Sequence, residues 1–359
     1  MTNSRFRFRP SFEPFASRSE PSSDLVKGQI RTRTVLTNKG HPNLIRESSP
    51  ASEQPLNGRE RDLLLRQLTP RDVAILTALS QYRYLDQSQL QQLFFPSQRT
   101  TQLRTAWLKN QGLVLRWLRL GPQGWQRHPS VLLLSGRGAR LLAALRAQDP
   151  RPGVRRSHHA QAHCFHLTHD LEANGFFIAL AAASAPLHGE GLYHWTGEWA
   201  GRLLYRERGA VFAPDGWGRY LTPTGEVVLM LEWDRGTESP HRLGVKVKHY
   251  VSYFQGRRDA DLNHILFVAS TCAREDVIRS TIERRLPPSH RPCCRFWSTS
   301  VDRLQEPGPL AAIWSPVGGG SDRLQLAELP ARPRSERSAA DCICKPTWWE
   351  RRIGGGEGA

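Results

Sequence analysis

The chain has 359 residues, 39% of them hydrophobic, with 50 Lys/Arg against 33 Asp/Glu, a formal charge of +17. Mean hydropathy is negative, and no run approaches the ~18 consecutive apolar residues of a membrane span. A chain this basic, with no secretory apolar stretch in its arginine-rich start MTNSRFRFRP, is expected in the cytoplasm on a polyanionic partner, with nucleic acid favoured over a membrane surface.

Residues 1–60 are rich in Ser, Pro, Asn, Arg and Glu and are expected to form a disordered basic tail. The first ordered unit is expected over 61–150. Thr69, Pro70 and Asp72 mark a helix start, with Val73, Leu76 and Leu79 as its apolar stripe. Asp86 with Gln89 marks a second start, whose inner face is Leu90, Leu93 and Phe94. Pro96-Ser97 opens a third helix, with Leu103, Ala106 and Trp107 expected inward and Gly112 at its end. VLRWLRL, a GPQG turn and SVLLL then read as a hairpin, followed by the helix GRGARLLAAL. Three helices and a hairpin are the order of a winged helix-turn-helix.

In that arrangement the third helix would enter the major groove of double-stranded DNA. Its outer face would carry Gln98, Arg99, Gln102, Arg104 and Thr105, of which arginine and glutamine make paired hydrogen bonds to guanine and adenine edges. Lys109, Arg119 and Arg127 would touch phosphate and set affinity rather than sequence. The segment from Arg61 to Pro150 holds 13 Lys/Arg against 4 Asp/Glu, a net of +9 and about half of the charge in a quarter of the chain.

A second α/β unit is expected over 158–301: a long apolar helix from Leu167 to Ala183, strands in GLYHWTGEW, RGAVFAPDG and EVVLMLEWD, a helix from Pro240 to Phe254, a strand in HILFVAS, a helix in REDVIRSTIERRL and a strand in CRFWSTS. Asp215 follows a proline at the end of one strand-like run, Glu232 and Asp234 end the next, and Lys246 lies on the following helix. Carboxylates at adjoining strand ends can hold Mg²⁺, and a lysine beside them can offset charge on a phosphate. Asp215, Glu232 and Asp234 are thus the candidate metal ligands, with Lys246 completing a candidate catalytic set. Pro-Asp on one strand and Glu-x-Asp on the next resembles the PD-(D/E)xK nuclease superfamily, a small mixed-sheet, restriction-endonuclease-like core. The lysine two residues after the second acid is replaced here by Asp234, and Lys246 and Lys248 are the nearest lysines.

LTPRDVAILTALSQYRYLDQSQLQQLFF, HDLEAN, PDG, LEWDRGT and the Lys246–Tyr250 spacing together resemble the replication–relaxation family of plasmid and mobile-element proteins, over about residues 65–270. The resemblance implies a winged helix followed by a nuclease-like core, with the replication or relaxation machinery of a plasmid or integrated element as partner. His169 and Asn174 match its helix motif, with Glu172 a spare acid. It leaves open a DNA-binding factor without catalysis, a Mg²⁺-dependent endonuclease or nickase, and a transcriptional repressor.

His163, His166 and His169 are spaced by three, and a polar helix start is the favoured reading over a zinc site. The six cysteines form no paired CxxC framework and no disulfide scaffold is expected. Residues 307–359, with GGGS and IGGGEGA segments, are expected to be a second disordered tail, in which Trp348 and Trp349 are loosely packed rather than a docking plug.

Overall fold

The computed structural model describes residues 34–35, 44–47, 53–119, 128–162, 164–207, 209–257, 262–286, 294–320, 322–334, 342–344 and 348. It is a mixed α/β protein, as expected for the fold class, with two sheets among the described residues. Strand β1 is Thr34–Val35 and β2 is Leu44–Glu47; helix α1 is Gly58–Gln67. Helix α2 (Pro70–Tyr82) starts where the sequence puts it: Thr69 and Asp72 cap each other reciprocally, and Pro70 occupies the first turn. After β3 (Leu85–Asp86), α3 (Gln87–Phe94) opens on the Asp86–Gln89 capping box, and α4 (Gln98–Asn110) opens on Ser97. Gly112, at φ 72°, turns the chain out of α4. Strands β4 (Val114–Arg119) and β5 (Val131–Leu134) pair antiparallel, and α5 (Gly136–Leu145) follows. The GPQG turn and Arg127 lie outside the described residues.

Helix α4 is rotated from its expected setting. Thr101, Thr105 and Leu108 face the core, while Leu103 is 64% exposed. Threonine tolerates burial because each hydroxyl returns to its own helix: Thr101 donates to the Ser97 carbonyl and Thr105 to that of Thr101, both at 2.8 Å. Only the methyl groups are then left to pack. Apolar counting therefore selected the wrong stripe.

The expected tail boundaries are also corrected. Leu44–Glu47 pairs antiparallel with β4, satisfying backbone groups that an open sheet edge would leave unpaired. The smaller sheet runs β1-β2-β4-β5-β3. Helix α6 (Pro150–Ala162), too polar to show a stripe, is held by Ser157, whose hydroxyl donates to the Leu134 carbonyl at 2.7 Å. A short turn at Cys164–His166 separates it from α7 (Leu167–Ser184), and His163 lies outside the described residues.

The larger sheet contains β6 (Gly191–Gly197), β7 (Gly216–Leu221), β8 (Glu226–Asp234), β9 (Asn263–Ala269), β10 (Arg295–Ser300) and β11 (Ser315–Pro316), in the order β11-β10-β9-β8-β7-β6. Helix α8 (Glu198–Glu207) follows β6, α9 (Pro240–Phe254) joins β8 to β9, α10 (Cys272–Glu283) joins β9 to β10, and α11 (Val301–Gln305) follows β10. The expected strand in RGAVFAPDG does not form; the strand is the next run, GWGRYL. A Cβ on Gly216 or Gly218 would stand 2.3 or 2.8 Å from the Phe177 ring, so the glycines that let Phe177 lie against β7 also erase its apolar signature.

Strand β8 is buried along its whole length and alternates cleanly. Val227, Leu229, Leu231 and Trp233 join the core that holds Phe176 and Phe177 of α7, while Met230 joins the core under α9 and α10. The two units do not have separate cores. Tyr82 of α2 stacks on Trp195 at 4.0 Å, and Asn174 of α7 donates to the carbonyls of Tyr82 and Tyr84 at 3.1 Å.

Residues 307–334 are not a tail. Trp314 and Ile313 are buried, β11 pairs with β10, and Glu226 bridges Arg332. Further on, Trp348 is buried, stacks on Phe94 at 5.5 Å, and donates from Nε1 to the Leu93 carbonyl at 3.2 Å. It is an internal plug on α3, not a loose residue; Trp349 lies outside the described residues.

Candidate functional site

Asp215 stands just before β7, where its amide donates to the Leu231 carbonyl at 2.9 Å and so places it beside the end of β8. Its Oδ2 accepts from the Trp233 amide at 2.7 Å, and its Oδ1 meets His169 Nε2 of α7 at 2.9 Å. Glu232 lies on the α9 face of β8. Its Oε2 accepts from Lys246 Nζ at 2.8 Å and its Oε1 from the Tyr250 hydroxyl. Lys246 and Tyr250 are one turn apart on α9, which lets both reach one carboxylate. Lys246 also lies 3.2 Å from Glu238.

The fourth group goes elsewhere. Asp234 takes a two-pronged contact from Arg274 of α10, Nη2 at 2.7 Å and Nε at 3.0 Å. Arg274 further donates to the Glu238 carbonyl at 2.6 Å. Of the sequence-derived set, Asp215, Glu232 and Lys246 are brought together, and Asp234 is tied to a different helix. Glu172, the spare acid, accepts from Trp233 Nε1 at 3.1 Å and lies 3.3 Å from Arg235.

Burial pushes the Glu232 carboxyl up; Lys246 opposes this and Asp215 adds to it, leaving the group at about 7. Burial pulls the His169 imidazole down, but the Asp215 carboxylate overrides it and lifts the ring to about 9. Asp215 is itself held below the usual carboxylate range: burial resists, and His169 and then Lys246 outweigh it. Lys246 is raised despite burial, through Glu232 and Asp215. The cluster is therefore internally balanced, cation against carboxylate.

That balance decides the fit to magnesium. All four oxygens of Asp215 and Glu232 already accept hydrogen bonds, and the third acid is turned to Arg274. Among the described residues no group of three His, Cys, Asp or Glu is arranged to hold a metal ion. In this arrangement Asp215 faces His169 and Glu232 faces Lys246, so a magnesium ion at these oxygens would have to displace or sit beside a cation already paired to each carboxylate.

The raised His169 sets a pH dependence. A group whose folded pKa lies above its unfolded value of 6.5 contributes stability that is complete below that value and lost as pH rises through about 9. The stability gap between the parent protein and His169→Gln is expected to close by about 2–3 kcal/mol between pH 6.5 and 10. Urea denaturation at stepped pH measures it; a constant gap would mean that the ring is not charged in the fold.

The expected DNA-facing residues divide. Gln98, Arg99 and Gln102 are exposed on α4. Arg104 is not free for bases: its Nε donates to the buried Asp72 at 2.6 Å and its guanidinium lies over Trp107 at 4.1 Å. Thr105 is buried, Lys109 is half-buried, and Arg119 sits 3.8 Å from Asp86, with burial pushing its guanidinium below the usual range. Arg104 is thus a positioning residue that fixes α4 on α2.

The comparisons decide the family: a replication-relaxation model matches residues 76–266, more than half of the chain. The chain belongs to the replication-relaxation family. Membership gives it a role in replication or relaxation of a plasmid or mobile element. No curated protein and no solved structure matches. The replication-relaxation span runs from α2 into β9, so it takes in α4, His169, Asp215, Glu232, Asp234, Lys246 and Tyr250, and leaves out Arg274. No described helix is long and apolar enough to cross a membrane.

The sequence offers a signal for two of the partners it did not assign: His169 and Tyr250 both stand in the family-like motifs. Arg274 and Glu238 have none, since each reaches the site only through the packing of α9 and α10.

Proposed function

We propose that this protein is a double-stranded DNA-binding factor that serves replication or relaxation of a plasmid or integrated mobile element without cutting DNA itself. In this reading α2, α3, α4 and the β4–β5 hairpin work as a winged helix-turn-helix. Gln98, Arg99 and Gln102 read base edges in the major groove, and Lys109, Arg119 and Arg127 lie along phosphates. The observation that carries it is the exposed Gln98/Arg99/Gln102 face on a helix whose opposite side is fixed by Thr101, Thr105 and the Arg104–Asp72 pair. The net charge of +17 supports a polyanionic partner. The partners expected beside the duplex are the element's replication or relaxation proteins.

The nuclease-like core, in this reading, is an assembly and positioning element, because its carboxylates are already matched by His169, Lys246, Tyr250 and Arg274. Mg²⁺-dependent endonuclease action is the competing reading, favoured by the convergence of Asp215, Glu232 and Lys246. Incubating supercoiled plasmid with the protein and Mg²⁺ or Mn²⁺ separates the two. The expected result is a retarded but still supercoiled plasmid, the same for Asp215→Ala. Nicking that Asp215→Ala abolishes would replace this proposal with the endonuclease.

A further inference from the structure

Helices α5 and α6 and the short segment between them carry six arginines, Arg137, Arg140, Arg146, Arg151, Arg155 and Arg156, against one acid, Asp149. Two of the six serve the fold. Arg137 is buried 3.8 Å from Glu60, and Arg140 donates to the Glu53 carbonyl at 3.4 Å. The other four face outward. Arg146 is exposed and its Nη2 donates to a neutral partner, the Thr77 hydroxyl, at 2.8 Å. Arg151 meets Asp149 at 2.9 Å on the open surface, where such a pair contributes little. Arg155 is exposed and Arg156 half-buried, and among the described residues neither makes an ion pair with a carboxylate. Burial, and then the Arg146 charge, push the Arg156 guanidinium below its usual range. These cations repel one another, and one carboxylate among four guanidinium groups does not offset them.

This surface is not the outer face of α4. Asp72, which holds Arg104 of α4, and Thr77, which holds Arg146, are five residues apart on α2. Five residues turn a helix by about 140°. The contact that holds α4 and the contact that holds Arg146 therefore lie about 140° apart around α2.

We propose that the Arg146/Arg151/Arg155/Arg156 surface grips the phosphate backbone of a second segment of duplex DNA, so that one molecule joins two DNA segments. The spacing suits it. Arg151, Arg155 and Arg156 span about 7.5 Å of helix rise, and duplex DNA carries one phosphate charge per about 1.7 Å of axis over its two strands, so about four phosphate charges lie along the length that holds these three guanidinium groups. Contacts of this kind hold without reading sequence. The proposal rests on the duplex-binding reading for its first segment only.

The test uses the full chain, a short duplex fixed on beads and a second, labelled short duplex in solution. Wild-type protein is expected to retain the labelled duplex on the beads. The fourfold variant Arg146→Glu/Arg151→Glu/Arg155→Glu/Arg156→Glu is expected to lose at least tenfold of that capture, while its affinity for a single duplex, by fluorescence anisotropy, stays within about threefold. The corresponding Arg→Lys variant keeps the charge and is expected to keep capture. Equal unfolding midpoints for the variants establish that the fold is intact. Undiminished capture by the glutamate variant overturns the proposal, as does a loss of single-duplex affinity in step with capture. Retention of anionic phospholipid vesicles without a second duplex would assign the surface to a membrane instead and also overturns it. If wild-type protein binds no duplex at all, the DNA-binding reading itself fails; if it binds one duplex and captures no second, only this inference does.

Discussion

Replacing Lys246 with methionine is expected to cost the fold about 3–5 kcal/mol at pH 8, the usual penalty for leaving a buried charge without its partner. Glu232 is almost wholly enclosed on β8, and Lys246 supplies its cation at 2.8 Å while Tyr250 supplies its second donor. With the ammonium gone, the carboxylate must either stay charged in an apolar wall or take up a proton. Burial has already lifted Glu232 to about 7, so the proton is available near neutrality. A carboxyl with a raised folded pKa contributes stability below its unfolded value of 4.5 and loses it as pH climbs through the folded one. The damage in Lys246→Met is therefore expected to shrink towards pH 5 and grow towards pH 8. Adding Glu232→Gln removes the stranded charge and is expected to restore more than half of the loss, because an amide keeps a donor–acceptor relation with Tyr250. Urea denaturation of the two variants at both pH values measures this. A single variant that costs under about 1 kcal/mol at pH 8, or a double variant worse than the single, would show that the pair is not the enclosed one described.

The same residues show what a sequence can and cannot disclose. Helix starts were legible because capping is local: Thr69 with Asp72 and Asp86 with Gln89 each lie within four residues, and all act as caps in the fold. Strand β8 was legible because its apolar run is continuous. Strand β7 was not, since Gly216 and Gly218 make room for Phe177, a residue some forty positions earlier in the chain. The rotation of α4 was hidden for a related reason: buried threonines look polar until their hydroxyls are known to return to the helix's own carbonyls.

At the site, the acids and the lysine could be named from strand ends and spacing, yet their pairing could not. Whether Asp234 shares a cation with Glu232 or is claimed by Arg274 depends on how α10 lies against β8, which no local pattern records. Long-range partners also explain the tail boundaries. Trp348 and Trp314 are apolar residues in weakly patterned segments, and only the docking of each on a distant element reveals them as core. The arginines of α6 carry no local signal, because a polar helix with proline and glycine in its first turn shows no apolar stripe.

Duplex affinity is expected to fall by roughly a thousandfold between 50 and 200 mM salt, as neutralising about six phosphates requires. In the proposed duplex-binding reading, Arg99, Lys109, Arg119 and Arg127 are the cations assigned to those phosphates. Single substitutions then separate position from reading. Lys109→Ala should weaken every sequence alike and lower the slope of log affinity against log salt by about one. Gln102→Ala should leave the slope unchanged, and cost about 1–3 kcal/mol of discrimination at one base pair of the preferred site, since an amide paired to a base edge releases no counterion. Arg104→Ala should act differently from both: it strands the fully buried Asp72, so it lowers the unfolding midpoint before it alters any DNA contact. Fluorescence anisotropy across a salt series, with specific and scrambled duplexes, reads all three. An affinity indifferent to salt would remove phosphate contact from the account and with it the role given to α4. A Gln102→Ala protein that binds scrambled and specific duplexes in the parental ratio would leave α4 on the DNA but take base reading away from Gln102, which is exposed on α4 beside Gln98 and Arg99.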